Sequence, residues 1–239
     1  MKTVLFDLDG TLLPMDQRAF IIAFLKALCR KLISLGTEEA TARRCLEASL
    51  PAVLQNDGRA TGREVFFAAL SEVLGYDALS LEPALCEFYR EEFSEVSSTC
   101  GREPLVRTVL ELVKTSGARA VLATSPIFPR EGVYARIGWA GLSPEDFALI
   151  TTYENTRFCK PSLGYYRDLL CELSAEPGDC LMVGNDATED MVAGELGIST
   201  FLLTDYLINR DGVDITRFER GGYPEMLAAV ERFLSSSSI

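Results

Sequence analysis

An α/β fold with a doubly wound parallel sheet and an inserted all-helical block is predicted by three features of this chain. Short apolar runs rich in strand formers recur at Val4 to Phe6, Ala118 to Ala123, Phe147 to Thr151, Cys180 to Gly184 and Thr200 to Leu203. The intervals between the later runs carry apolar residues at helical spacing, and strands alternating with helices make a parallel sheet with helical crossovers. Between the first run and the second, from Asp16 to Ser98, helical periodicity continues with no convincing strand.

The first strand carries the most information. Val4, Leu5 and Phe6 lead into Asp7-Leu-Asp9-Gly10-Thr11. A strand buried on both faces has no use for acids in its middle, but its carboxyl end opens onto the crevice where such sheets bind ligands. Residues two apart on an extended segment point the same way, so Asp7 and Asp9 can converge on one reacting group. Gly10 and Thr11 supply the turn. Turn chemistry alone also places Asp, Gly and Thr at strand ends, but two acids in this order after an apolar strand are more than a turn requires.

The helical block follows. Phe20, Phe24, Ala27 and Leu28 share one helical face, as do Val65, Phe66, Ala69, Leu70 and Val73, and then Leu85, Phe88 and Tyr89. Its position implies a module at residues 16–98 inserted into a core formed by residues 1–15 and 99–239. A helix from Gly101 to Thr115 leads back to the second strand, which ends at Thr124 and Ser125. A helix from about Arg130 to Ile137, the third strand, a loop holding Lys160 and Pro161, a helix through Leu173 and the last two strands complete the alternation. The serine run Ser235 to Ser238 reads as a frayed end.

Composition narrows the partners and the chemistry. Apolar residues make up 48 % of the chain, ample for a core, and 23 Lys plus Arg against 35 Asp plus Glu give a net charge of −12. That balance argues against nucleic acid or an anionic membrane, both of which reward a positive field. The seven cysteines are odd in number and scattered without a Cys-X-X-Cys pair, as expected of reduced thiols in the cytoplasm. The first strand begins almost at Met1, which leaves no room for a secretory signal, and no apolar run reaches the roughly 20 residues needed to span a bilayer. Histidine is absent, so acid-base chemistry falls to carboxylates, lysine, tyrosine or cysteine.

Three further polar sites fall at the carboxyl ends of expected strands or in the loops after them. Thr124 and Lys160 are each weak signals alone, since hydroxyls cap turns and lysines are usually solvated. The segment Val183-Gly-Asn-Asp-Ala-Thr-Glu-Asp190 is stronger, because it gathers Asp186, Glu189 and Asp190 where a strand gives way to a helix. Helix capping by Asp186 explains part of it. Asp7, Asp9, Asp186 and Asp190 near one sheet edge would nonetheless repel one another unless a cation sat among them. Magnesium suits oxygen ligands of this kind, a few carboxylates completed by water and substrate phosphate.

In order, these four sites resemble the signature of the haloacid dehalogenase superfamily, most of whose members are magnesium-dependent phosphatases. The resemblance spans the core and leaves only the helical block unmatched, which in that family is a mobile cap over the active site. It implies a Rossmann-like core in which Asp7 is the nucleophile that forms an aspartyl-phosphate and Asp9 is the acid and base. Thr124, with Ser125 beside it, would bind the phosphoryl oxygens, and Lys160 would offset charge on the nucleophile and phosphoryl group. Magnesium would be held by the Asp7 carboxylate, the Asp9 carbonyl and Asp186, with Asp190 acting through water. The family's fourth motif usually reads Gly-Asp followed by a second Asp. Here Gly184-Asn185-Asp186 leaves Asn185 as an alternative ligand, and Asp186 is preferred because a carboxylate binds magnesium better than an amide.

The expected activity is hydrolysis of a small phosphate monoester from a phosphorylated metabolite. A phosphomutase is the alternative within the family. A dehalogenase is disfavoured because such relatives need no metal and usually lack an acid at the position of Asp9, and a non-catalytic binding module is disfavoured because every motif position carries a competent residue. Substrate choice is expected of the cap, where Arg43, Arg44, Asn56, Asp57, Arg59 and Arg63 are candidates. The turn-like Asn56-Asp57-Gly58-Arg59 is the best candidate for a loop facing the site, and Arg59 and Arg63 are the expected substrate-binding residues of the block.

Overall fold

The computed structural model describes residues 1–236. Six parallel strands, β1 (Thr3–Phe6), β2 (Arg119–Leu122), β3 (Leu149–Ile150), β4 (Cys180–Gly184), β5 (Ser199–Leu203) and β6 (Glu219–Gly221), form one sheet in the order β3-β2-β1-β4-β5-β6. The chain winds outward from β1 in one direction and then from β4 in the other. The crevice between the carboxyl ends of β1 and β4 is therefore the topological switch point, where open α/β sheets place ligands.

Strand periodicity decides which residues face which layer. In β1, Val4 and Phe6 join one apolar cluster while Leu5 joins the other, as a period of two requires. On one face lie α5 (Pro104–Thr115) and α8 (Tyr223–Ser235); on the other lies α7 (Leu163–Leu173), whose Tyr165, Tyr166 and Leu169 pack on Leu5, Val121 and Met182. Full burial of each such side chain contributes about 2 kcal/mol.

The helical block consists of α1 (Gln17–Ser34), α2 (Glu39–Leu54), α3 (Gly62–Leu74) and α4 (Glu82–Arg90), with a 3₁₀ stretch from Glu92 to Thr99 returning to the core. Asp16 caps α1 by accepting from Ala19, and Thr61 with Glu64 forms a capping box at α3. The block shares its apolar interior with the sheet layer. Phe24 of α1 lies 4.8 Å from Phe128, and Phe93 of the 3₁₀ stretch lies 4.8 Å from Trp139 at the end of α6 (Arg130–Trp139).

Three elements depart from expectation. The third strand pairs only at Leu149 and Ile150, as an edge strand. A sixth strand, β6, has the sequence Glu-Arg-Gly and no apolar run, so periodicity does not reveal it; it pairs at the opposite edge, Phe201 beside Glu219. Helix α8 is also absent from the expected elements, although Pro224 at its start and an apolar face at Tyr223, Met226 and Val230 mark it. It takes in Ser235, while Ser237 and Ser238 of the serine run lie outside the described residues. No helix among the described residues is long and apolar enough to cross a membrane, and all seven cysteines are free thiols.

Candidate active site

The sheet delivers four loops to the switch point. Asp7 continues the β1 ladder by one step, its amide donating to the Val183 carbonyl at 2.9 Å, so the backbone under its carboxylate is as rigid as the strand. The turn beyond requires glycine. Gly10 has φ of 88°, and a β-carbon there would collide with the Asn185 amide. Gly184 is constrained likewise, because a β-carbon would collide with the Asp190 carboxyl.

Lys160 arrives from the loop after β3 and is the electrostatic centre. Its Nζ donates to Asp7 Oδ1 at 2.8 Å and to Asp190 Oδ1 at 2.5 Å, with Lys160 only 3 % exposed and Asp190 1 % exposed. Burial by itself lowers the pKa of the ammonium, but Asp190 and Asp7 together outweigh it and raise the pKa well above the usual lysine value. Lys160 is therefore a fixed cation against Asp7. The second Asp190 oxygen accepts from the Asp186 amide at 2.9 Å. Asp190 thus anchors Lys160 and the turn after β4 with both oxygens.

The turn after β4 separates the two alternative ligands. Asn185 spends its amide on structure, donating to the Tyr206 carbonyl at 2.7 Å and accepting from the Thr11 hydroxyl at 3.1 Å. One oxygen of Asp186, Oδ1, caps the amides of Thr188 and Glu189 at 2.8 and 2.9 Å, the expected capping role. Its other oxygen has no hydrogen-bond partner among the described residues, which leaves Asp186 the better placed of the two to meet a cation.

Thr124 and Ser125 stand at the end of β2. The Thr124 carbonyl accepts from the Thr151 hydroxyl at 2.8 Å and from Tyr165 at 3.1 Å, which fixes the strand end, and Ser125 donates to Glu189 at 3.0 Å. Both line a cleft of about 180 Å³ together with Asp7, Asp9, Lys160, Asn185, Asp186, Glu189 and Asp190.

Asp9 has a partner that sequence reasoning missed. Its Oδ2 accepts from Arg136 of α6, a guanidinium with no solvent exposure that also lies 3.9 Å from the Phe128 ring centroid. Burial lifts the Asp9 carboxyl to a pKa of about 6, with Arg136 pulling the other way and Asp7 adding to the rise. The other oxygen, Oδ1, is buried without a hydrogen bond.

The arginines of the helical block are not brought to the cleft. Arg59 is almost wholly solvated and pairs with its neighbour Asp57, while Arg63 pairs with Glu82 at 2.5 Å. Gly58 of the same turn packs against the Phe158 ring. The helical block's contribution to the cleft is instead Gln17, Ile21 and Leu54, and the rest of the chain adds Ile127, Ile208 and Arg210. Arg210 donates to Gln17 at 2.8 Å across the mouth. The exposure of Ile21 and Leu54, 42 % and 46 %, is the only hint of this, and it appears after folding.

No group of three or more acids or cysteines among the described residues is preassembled to hold a metal. The reason is visible in the ion pairs, since Asp9 is turned to Arg136 and Asp190 to Lys160. The remaining donors are the Asp7 and Asp186 carboxylates and backbone carbonyls. An all-oxygen set with two carboxylates fits magnesium, which keeps several waters and draws on substrate phosphate.

Known proteins share this architecture. The structure superimposes on a phosphatase of the same superfamily from Thermococcus onnurineus with a TM-score of 0.58, 21 % identity and all of both chains covered. It also superimposes on a putative beta-phosphoglucomutase from Thermotoga maritima (TM-score 0.57, 21 % identity, 97 % of this chain and 99 % of that one). A predicted phosphoglycolate phosphatase from Haemophilus somnus gives 0.56 at 16 % identity, covering 96 % and 97 %. At these identities the likeness is one of fold. No curated protein sequence matches the chain. A family model for haloacid dehalogenase-like hydrolases matches residues 1–196, and the chain belongs to that family.

Proposed function

We propose that the protein is a magnesium-dependent phosphatase that hydrolyses a small phosphate monoester through an aspartyl-phosphate on Asp7. The observation that carries this reading is the contact of Lys160 Nζ with Asp7 Oδ1, 2.8 Å, inside a cleft that Thr124 and Ser125 also line. A carboxylate held by the sheet, a fixed cation beside it and hydroxyls opposite form a phosphoryl-transfer arrangement. The cleft volume of about 180 Å³ suits a phosphate with a small organic group.

In this reading an Asp7 oxygen attacks phosphorus as the bond to the leaving oxygen breaks, and Asp9 gives its proton to that oxygen. Asp9 then takes a proton from water as the water attacks phosphorus and the Asp7 acyl-phosphate bond breaks, which restores both carboxyl groups. Lys160 and the hydroxyls of Thr124 and Ser125 hold the phosphoryl oxygens in line. To serve the cleft, Asp9 must release Arg136 and turn its carboxyl inward. Magnesium, bound by Asp7, Asp186 and the Asp9 carbonyl with Asp190 outside them, would neutralise the phosphate charge that otherwise repels the nucleophile.

A phosphomutase shares the first half of this reaction. Hydrolysis is preferred because the cap offers the cleft one amide and two aliphatic side chains, few groups to grip a sugar bisphosphate as it turns. The net charge of −12 and the free thiols accord with a small-metabolite enzyme of the cytoplasm.

Acetyl phosphate distinguishes the two acids, since its leaving group needs little protonation. Asp9→Asn should accumulate a phosphoryl mass increment by intact-protein mass spectrometry and Asp7→Asn should show none. The increment on the Asp7 variant instead would reverse the roles. A panel of phosphorylated metabolites, with product analysis for released phosphate or transferred phosphoryl group, identifies the substrate and separates hydrolysis from mutase chemistry.

A further inference from the structure

Away from the catalytic cleft, and sharing no lining residue with it, α1 and α2 diverge around a groove of about 870 Å³. Ile22, Leu25, Cys29 and Ile33 of α1 form one wall at spacings of three, four and four residues, and Leu46 and Leu50 of α2 face them. The inward stripe of α1, Phe20, Phe24, Ala27, Leu28 and Leu32, is already used in the core, so this is a second apolar face. Ile22 is 58 % exposed and Ile33 39 % exposed, and clustered aliphatic exposure of this kind marks an interaction surface.

The charges on the rim indicate what covers it. Arg43 is satisfied by Glu39 at 2.7 Å and Arg30 by Glu95. Lys26 on the α1 wall and Glu47 on the α2 wall have neither an ion pair nor a hydrogen bond among the described residues. The two helices form a hairpin with its loop at residues 35–38, and Lys26 and Glu47 each stand eight residues from the loop end of their helix. They therefore flank the groove at one level, opposite in sign.

We propose that this groove is the contact face of an isologous dimer, with α1 of each copy lying against α2 of the other. A twofold axis running along the groove, between the two facing surfaces, exchanges the walls; because Lys26 and Glu47 stand at one level, it lays Lys26 of one copy on Glu47 of the other, twice, and covers Ile22 and Ile33 of both. A partner of one charge sign would satisfy only one of the two side chains, whereas a second copy satisfies both. The chain's net charge of −12 opposes self-association at long range, which makes these local pairs and the apolar contact the terms that hold the copies together.

Sedimentation equilibrium of the full chain should give twice the chain mass at high concentration. Lys26→Glu and Glu47→Lys each place like charges opposite one another twice and should each raise the dissociation constant roughly tenfold or more. Mixed in equal amounts, the two variants pair opposite charges at both contacts, and association should return to the wild-type level. Unchanged circular dichroism of each variant shows that the cap remains folded. A monomer at every attainable concentration, a dimer indifferent to both reversals, or a mixture no tighter than its components would overturn the proposal. So would a monomer carrying an amphiphile as a native-mass adduct abolished by Ile22→Asp.

Discussion

Arg136 and Asp9 form an ion pair between α6 and the first loop in which the cation is wholly enclosed and the anion is partly open, with side-chain exposures of 0 % and 20 %. A buried guanidinium without a counter-ion is strongly unfavourable, whereas a carboxylate one-fifth exposed can turn to water. Loss of the anion should therefore hurt more. Asp9→Ala should lower unfolding stability by about 3 kcal/mol and Arg136→Met by less, measured by urea denaturation. The opposite order would mean that Arg136 acts chiefly through its stacking on Phe128.

The same pair sets a pH dependence. Burial holds the Asp9 carboxyl at a pKa of about 6, above the usual aspartate value. As general acid it must carry the proton, so kcat/KM for an alkyl phosphate limited by leaving-group departure, which reports the free enzyme, should fall about tenfold per unit above pH 6. As general base it must have lost the proton, so turnover of a substrate with a good leaving group, limited by breakdown of the acyl-phosphate, should instead slow as the pH falls. Opposite limbs for p-nitrophenyl and alkyl phosphates are the expected result; the same limb for both would remove Asp9 from one role.

The metal prediction rests on the turn after β4. Activity on p-nitrophenyl phosphate should vanish with chelator and return with magnesium. Asp186→Asn should weaken magnesium binding, read by calorimetry, by more than Asn185→Ala, because Asn185 has its amide committed to Tyr206 and Thr11. Full turnover in excess EDTA would refute the metal assignment.

Lys160→Met should cost roughly 100- to 1000-fold in turnover, the usual effect of removing one preorganised charge contact. It should also destabilise the fold, since Asp190, 1 % exposed, would lose its cation. A double variant, Lys160→Met with Asp190→Asn, should recover stability but not turnover.

Substrate preference should respond to the side chains that reach the cleft. Ile21→Ala or Leu54→Ala should change the ratio of kcat/KM between two phosphate esters of different size by roughly tenfold, while Arg59→Ala and Arg63→Ala leave that ratio unchanged. A ratio that moves with Arg59 alone would place its turn over the substrate in a closed state of the cap.

Sequence by itself determined the features that are local. Val4 to Phe6 followed by Asp7 and Asp9 announces a strand ending in acids, because a strand's burial and its carboxyl end are written in consecutive residues. Thr124, Asp186 and Asp190 are readable in the same way, as polar groups just past apolar runs, with Lys160 in the loop that follows the third run, and parallel alternation brings such ends to one edge. Tertiary structure decided what depends on packing between distant segments. Arg136 sits in a helix whose sequence reads as an ordinary surface charge, and only the docking of α6 beside Asp9, 127 positions earlier, gives it a counter-ion and a buried site. Gln17, Ile21 and Leu54 line the cleft because α1 packs on the core through Phe20 and Phe24 against Phe128, and α2 packs on α1. Strand β6 exists because an open edge of β5 accepts three residues with no strand pattern of their own. Periodicity reports how one element divides between inside and outside, and it carries no information about which other element will cover it.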